Sequence, residues 1–322
     1  MEIEDIVQDA KEEIESFRNK NPEGVVIIRG ATATGKSKLS VILSKYFDEE
    51  IISADSRQIF RYMNIGTDKV SDEVISKIPH HQINVVNPDE TYTSGRRKND
   101  TYKIISEIHS RKKIPMIVGG TGLYIDTVYK NFSLPDIPPD MKLRDELFAK
   151  EEVTPGILHQ ELTKVDPEEA MKLHPKSTRY IVRALEIYYK SGKTKTETFI
   201  SQPPVWPLLM LGLRREKEDT NVRINARVRD MLKSGLIEEV QGLLKQGYTK
   251  DLQSMQGIGY KEVVEYLEGR CSYNEMEDRI IIATHQLAKK QRSRFRRYIA
   301  EGIQSPRENV TYKVWRLSGL DI

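Results

Sequence analysis

Residues 30–37 read Gly-Ala-Thr-Ala-Thr-Gly-Lys-Ser and fit the pattern G-x-x-x-x-G-K-[S/T]. Before them stands VVIIR (25–29), a buried-strand pattern, and after them a helix is predicted from about 36 to 47. A strand turning through glycines into a helix N-terminus is the context that gives the pattern its meaning. The glycines let backbone N–H groups turn inward on phosphate oxygens, and the helix end adds partial positive charge. Lys36 supplies a full charge, and the Ser37 hydroxyl suits a magnesium ligand. Gly30, Ala31, Thr32, Ala33, Thr34, Gly35, Lys36 and Ser37 are therefore expected to hold a diphosphate group. The pattern does not say which molecule carries it.

Other short apolar strands follow the same plan. EEIISA (49–54) ends at Asp55, KIPMIVGG (113–120) ends in a double glycine, and PLLMLGL (207–213) comes late in the chain. Strands alternating with helices predict an α/β fold, a parallel sheet covered on both faces and built like a P-loop NTPase core. Pro135, Pro138 and Pro139 mark an exit from that core. The clearest helix beyond them is 177–190, where Ile181, Ala184, Leu185 and Tyr188 recur at helical spacing and Ser191-Gly192 ends the run. A helix over 220–234 is expected with Asp219 or Thr220 as its cap, and Ser272 to Glu275 forms a capping box opening a helix to about 300. The expected division is an appended helix at 1–24, a first core part at 25–130, a helical insertion at 131–204, a second core part at 205–300 and a tail at 301–322.

A chain of 322 residues can bury a full core without staples, and 38% hydrophobic with 31% charged residues rules out a mostly disordered chain. No apolar run is long enough for a transmembrane helix. MEIEDIVQDAKEEIESF carries seven acids and one base, the reverse of a signal peptide, so a cytoplasmic location is expected. Cys271 is the only cysteine, which excludes an intrachain disulfide or a Cys-rich metal site. The net charge of +3 hides a block at 285–300 with six Lys or Arg and no acid, a pattern that attracts polyanions.

An ATPase or GTPase usually has a second strand ending in a magnesium-binding aspartate. Here KIPMIVGG runs into Gly119-Gly120-Thr121-Gly122, and the strand that ends in an acid is the one before Asp55. This counts against simple nucleotide hydrolysis. It leaves open whether Asp55 is a site carboxylate or a turn residue, and whether GGTG is a site or a turn.

Seven segments together resemble the tRNA dimethylallyltransferase (tRNA isopentenyltransferase) family. They are GATATGKS (30–37), ISADSRQIFRYMNIGT (52–67), PHHQIN (79–84), VGGTGLY (118–124), HPKSTRYIVRALEIY (174–188), GIGYKE (257–262) and ATHQLAKKQRSRFR (283–296), in the family's order. The resemblance implies transfer of a dimethylallyl group from its diphosphate to N6 of the adenosine 3′ to the anticodon, with magnesium. The phosphate loop would then hold the prenyl donor. Asp55 matches the family's catalytic carboxylate, which takes a proton from the adenine amine. Thr121 matches a threonine near the diphosphate, its double glycine letting backbone approach the ligand. Arg227 matches an arginine on the diphosphate, and Arg223 lies four residues earlier on the same helix face.

On the RNA side, the adenosine must be flipped out of its stack. Asp55, Ser56, Arg57 and Gln58 stand where the family contacts it. Gln256, Gly257, Gly259, Tyr260 and Lys261 match a second RNA segment, in which Tyr260 is expected to stack on a base and Lys261 to meet a phosphate. Lys289, Lys290, Arg292, Arg294 and Arg296, with Phe295 among them, suit a phosphate backbone better than a packed core.

The chain departs from the family pattern at Ala31 in place of proline, at Arg96-Arg97 in place of an acidic–aromatic pair, at Lys176-Ser177 in place of Asn-Asp and at Arg294 in place of tryptophan. It lacks the eukaryotic zinc finger and looks bacterial in type. A monomer is expected, with tRNA and dimethylallyl diphosphate as partners and no membrane. The other readings are an adenylate isopentenyltransferase acting on free AMP, ADP or ATP, a small-molecule kinase, and a non-catalytic RNA-binding module. The basic block argues against the first, the missing strand-end carboxylate against the second, and the phosphate loop with Asp55 against the third.

Overall fold

The computed structural model describes residues 3–304 and 309–317. Residues 1–2 of the expected N-terminal segment, and 305–308 and 318–322 of the expected tail, lie outside the described residues. The chain divides into two compact units, one formed by 1–90, 101–125 and 204–322, the other by 91–100 and 126–203.

The first unit is built on a six-stranded parallel sheet. Its strands are β1 (Val25–Gly30), β2 (Glu49–Ser53), β3 (His80–His81), β4 (Ile114–Gly119), β5 (Leu208–Arg215) and β6 (Val310–Leu317), in the spatial order β3-β2-β4-β1-β5-β6. Central β1 pairs with β4 and β5, and every one of its residues is buried. That explains its unbroken apolar run, because a parallel strand covered on both faces has no solvent side. Strands β2, β4 and β1 are neighbours, so Asp55, Gly119-Gly120-Thr121 and the phosphate loop follow three adjacent strand ends. Crevices outside the carboxyl ends of such strands are where α/β proteins place ligands.

Both chain ends join this core. Helix Ile3–Lys20 buries Ile6, Ala10, Ile14 and Phe17 in one cluster with Leu39, Leu43 and Val26. It is part of the sheet's cover rather than an appendage. Strand β6 pairs along β5 and adds Trp315 and Leu317 to the same cluster, so the segment expected as a tail contains an edge strand. Trp315 Nε1 donates to Asp9 at 2.6 Å and ties the two ends together. Helix Lys217–Lys233 starts earlier than the sequence predicts. Thr220 is no cap: it is fully buried inside the helix, with its hydroxyl donating to Glu216 O. Helix Tyr273–Gln304 opens on the expected box, in which the Ser272 N–H donates to the Glu275 carboxylate at 2.8 Å.

The second unit is helical. Helices Met141–Val153, Ile157–Val165, Pro167–Lys172 and Thr178–Ser191 enclose Leu147, Leu158, Leu162, Ala170, Ile181 and Leu185. Glu186 is fully buried there, yet it accepts from both Arg144 and Arg183 and from the Asp140 N–H. Paired this way, a buried carboxylate fixes the packing of two helices. Of the two arginines that replace the family's acidic–aromatic pair, Arg97 is buried and Arg96 lies 5.2 Å over the Tyr92 ring.

Candidate active site

A cavity of about 610 Å³ opens at the strand ends of the first unit. Its walls carry Thr32, Ala33, Gly35, Lys36 and Ser37 of the phosphate loop, with Asp55, Ser56, Arg57 and Gln58 after β2 and Thr121 after β4. Arg223 and Arg227 reach it from helix Lys217–Lys233, and Gln256 and Gly259 from the loop before helix Tyr260–Leu267.

The phosphate loop turns through Ala33 (φ 62°) and Gly35 (φ 97°), the left-handed conformation from which backbone N–H groups can form an anion-binding concavity. Lys36 Nζ donates to Ala31 O at 2.7 Å across the loop. Burial pushes the Lys36 ammonium down to about 8; nearby Arg227 adds to the effect, and Asp55 and Asp68 oppose it. Arg227 bridges two loops, donating to Thr32 Oγ1 at 2.7 Å and to Asp68 at 2.9 Å, while Arg223 Nε donates to Ala33 O. Two fixed guanidinium groups and one ammonium thus surround the loop, an arrangement suited to a diphosphate.

Asp55 sits opposite these cations. Its Oδ1 accepts from the Arg57 N–H at 2.8 Å, which fixes the carboxylate without neutralising it. The Thr121 hydroxyl accepts from the Ser56 N–H at 3.2 Å, so Thr121 holds the Asp55 turn as well as facing the cavity. The double glycine lines the cavity and also has a packing task that the sequence did not reveal. A Cβ on Gly119 would lie 2.3 Å from Ala54 O, and one on Gly120 would lie 2.5 Å from Gln291 Nε2. The glycines let the ends of β2 and β4 approach each other and leave room for Gln291.

Gln291 was not singled out from the sequence. Its Oε1 accepts from the Thr32 N–H at 2.8 Å and its Nε2 donates to Gly120 O at 3.0 Å, joining the loop to the end of β4. Asp68 and Glu239 were also missed. Neither stands in a recognisable pattern, and only the folded chain brings them to the site.

Tyr260 does not take the expected role. Its ring is 1% exposed and packed against Gly66, and its hydroxyl donates to Glu239, so no base can stack on it. Gly257 and Lys261 stand outside the cavity wall, with Lys261 pairing Glu262 at 3.4 Å. Both ends of the Gln58 amide have protein partners, Ser53 Oγ at 2.7 Å and Asp68 O at 3.1 Å. Arg57 donates to Gln253 O, and burial lowers its pKa. Lys289, Lys290, Arg294 and Arg296 are exposed along helix Tyr273–Gln304, outside this cavity. Phe295 points the other way and is buried, with the Arg29 guanidinium 5.5 Å over its ring.

The model of the IPP transferase family matches residues 58–298. A tRNA dimethylallyltransferase from Pelotomaculum thermopropionicum is 42% identical over 285 residues, 88% of this chain and 90% of the relative. The chain belongs to the tRNA dimethylallyltransferase (IPP transferase) family. The crystal structure of the tRNA isopentenylpyrophosphate transferase from Bacillus halodurans resembles it at a TM-score of 0.64 and 37% identity, covering 93% of this chain and 92% of that one. A eukaryotic dimethylallyltransferase, solved in crystallographic snapshots of its action on tRNA, is similar at a TM-score of 0.74 and 32% identity, over 90% of this chain and 73% of that one. These dimethylallyltransferase relatives share the P-loop core described above. Among the described residues no helix is long and apolar enough to cross a membrane.

Proposed function

We propose that this chain transfers a dimethylallyl group from dimethylallyl diphosphate to N6 of the adenosine 3′ to the anticodon of tRNA. One observation carries the reading: Asp55 and the Lys36–Arg223–Arg227 cations face one cavity across the strand ends. A base and a leaving-group clamp are what an N-prenylation needs. The bond from the allylic carbon to the diphosphate oxygen breaks, the N6–carbon bond forms, and the amine proton passes to Asp55. Lys36, Arg223 and Arg227 take up the charge growing on the diphosphate. Met231, Leu236, Ile280 and Leu287 on the same wall offer apolar surface for the prenyl tail. The exposed basic face of helix Tyr273–Gln304 supports a polyanionic acceptor over free AMP. The same reading places its action in the cytoplasm.

The residues fit a magnesium ion held mainly by the substrate. The Ser37 hydroxyl is exposed on the cavity wall, and no group of three His, Cys, Asp or Glu among the described residues forms an all-protein site. Magnesium commonly binds through one or two protein oxygens plus phosphates. When bound there it would supply further positive charge to the diphosphate.

Labelled dimethylallyl transfer, with magnesium, to unmodified tRNA beside AMP and ATP tests the reading. Label in tRNA alone is expected. Asp55→Asn should keep tRNA affinity and lose about 10²–10⁴-fold in kcat, the usual contribution of a general base. Label in free nucleotides would move the function to nucleotide prenylation.

A further inference from the structure

The pairing of β1 with β4 ends at Arg29 opposite Gly119. Beyond that point the two chains are joined by a side chain. The Gln291 carboxamide takes one backbone group from each: its Oε1 accepts from the Thr32 N–H at 2.8 Å, and its Nε2 donates to Gly120 O at 3.0 Å. A primary amide offers a donor and an acceptor, as a peptide unit does, so Gln291 extends the ladder where the backbones no longer pair. The partners fix which end is which, because a flipped amide would set oxygen against oxygen and N–H against N–H. The fit is close: a Cβ at position 120 would lie 2.5 Å from Gln291 Nε2.

Each partner leads on to one side of the chemistry. The Thr32 hydroxyl accepts from Arg227, one of the cations proposed to clamp the diphosphate. Gly120 precedes Thr121, whose N–H donates to Ala54 O and whose hydroxyl accepts from the Ser56 N–H, so the chain is gripped on both sides of Asp55. Gln291 is itself carried on helix Tyr273–Gln304. Ile280, Thr284, Leu287 and Gln291 recur there at helical spacing along the cavity wall, and Ile280 and Thr284 are buried. A packed helix thus presents one amide to the junction between clamp and base.

We infer that Gln291 is a positioning residue for the transfer, its amide setting the separation between the Arg227 side of the site and the Asp55 side. The inference rests on the reaction proposed above. It acts through Thr32 and Gly120, with no contact to the reacting atoms required.

Transfer kinetics on the full chain, with melting curves and tRNA binding, test it in two variants. Gln291→Met keeps the volume without the amide, and Gln291→Asn keeps the amide one methylene shorter. A misplacement near 1 Å costs on the order of 10²-fold in rate, so kcat should fall about ten- to a hundredfold in both. The KM for dimethylallyl diphosphate and the tRNA affinity should stay close to wild type, with the variants folded at the assay temperature. Wild-type kcat in either folded variant overturns the inference, as does a loss of kcat no greater than the loss of folded protein. A raised KM with kcat unchanged also overturns it, making Gln291 a donor contact instead. A wild-type chain that transfers no label overturns the proposed reaction itself, and that result is read before any variant is compared.

Discussion

The Tyr260 hydroxyl donates to Glu239 Oε1 at 2.6 Å, and the same carboxylate accepts from the backbone N–H groups of Asn64, Ile65 and Gly66. One side chain thus holds a loop and an aromatic ring together. Two residues further along that loop stands Asp68, which pairs with Arg227. Glu239 therefore acts at one remove on Arg227, the cation proposed to face the diphosphate. Glu239→Ala leaves three amides and a buried hydroxyl without their acceptor, which costs about 2–3 kcal/mol by the usual penalty for orphaned donors. The expected result is a melting temperature lower by several degrees, with kcat falling more than tRNA affinity. Glu239→Gln, which keeps an acceptor, should recover part of both.

Lys36 gives a pH dependence with a definite sign. Only its protonated form attracts a diphosphate, and in the free protein that form is lost as pH rises through about 8. Burial is the main cause, so the effect belongs to the folded state. Donor affinity should be nearly constant below pH 7 and fall about tenfold per unit above pH 8. Measuring the KM for dimethylallyl diphosphate from pH 6 to 9.5 checks this. Lys36→Arg, which stays charged, should flatten the profile.

Glu49 carries a separate pH effect, on stability. It opens β2 with its side chain buried and both oxygens unpartnered, and burial, aided by Asp48, pushes its carboxyl up to about 8. The folded state therefore holds a proton that the unfolded chain releases near pH 4.5. The sign follows: stability from this group is complete below about 4.5 and is lost as pH rises through 8. Glu49→Gln should flatten the decline in unfolding free energy between pH 5 and 8, and stabilise the protein at pH 8 by on the order of a few kcal/mol. Denaturant titrations of both proteins across that range measure it.

Much of the first unit was legible because local and tertiary rules agree there. VVIIR before Gly30 is apolar throughout because β1 is covered on both faces, and the same run fixes the phosphate loop at its end. Asp55 was found from its place at a strand end. Tyr260 misled because an aromatic beside glycines looks the same in sequence whether it meets a base or, as here, Gly66 and Glu239. Strand β6 was missed because VTYKVWRL gains its meaning only from pairing with β5 and packing on helix Ile3–Lys20. Gln291 was hidden among six basic neighbours, although its amide is the group that joins the loop to β4.

The close approach of β2 and β4 yields the sharpest test of how Asp55, the proposed general base, is placed. The Ala54 N–H donates to Val118 O at 2.7 Å, and the Thr121 N–H donates to Ala54 O at 3.0 Å, so the β4 end grips the residue just before Asp55. Gly119 permits that grip: an added Cβ would lie 2.3 Å from Ala54 O, a backbone atom that cannot swing aside. Gly119→Ala must push the two strand ends apart. Overpacking of this kind costs about 1–3 kcal/mol, and a misplacement near 1 Å at a reacting group costs on the order of 10²-fold in rate. The variant should thus fold, bind tRNA and dimethylallyl diphosphate with affinities close to wild type, and lose most of its kcat. Wild-type kcat in folded Gly119→Ala would show that the Asp55 carboxylate does not depend on the β4 contact.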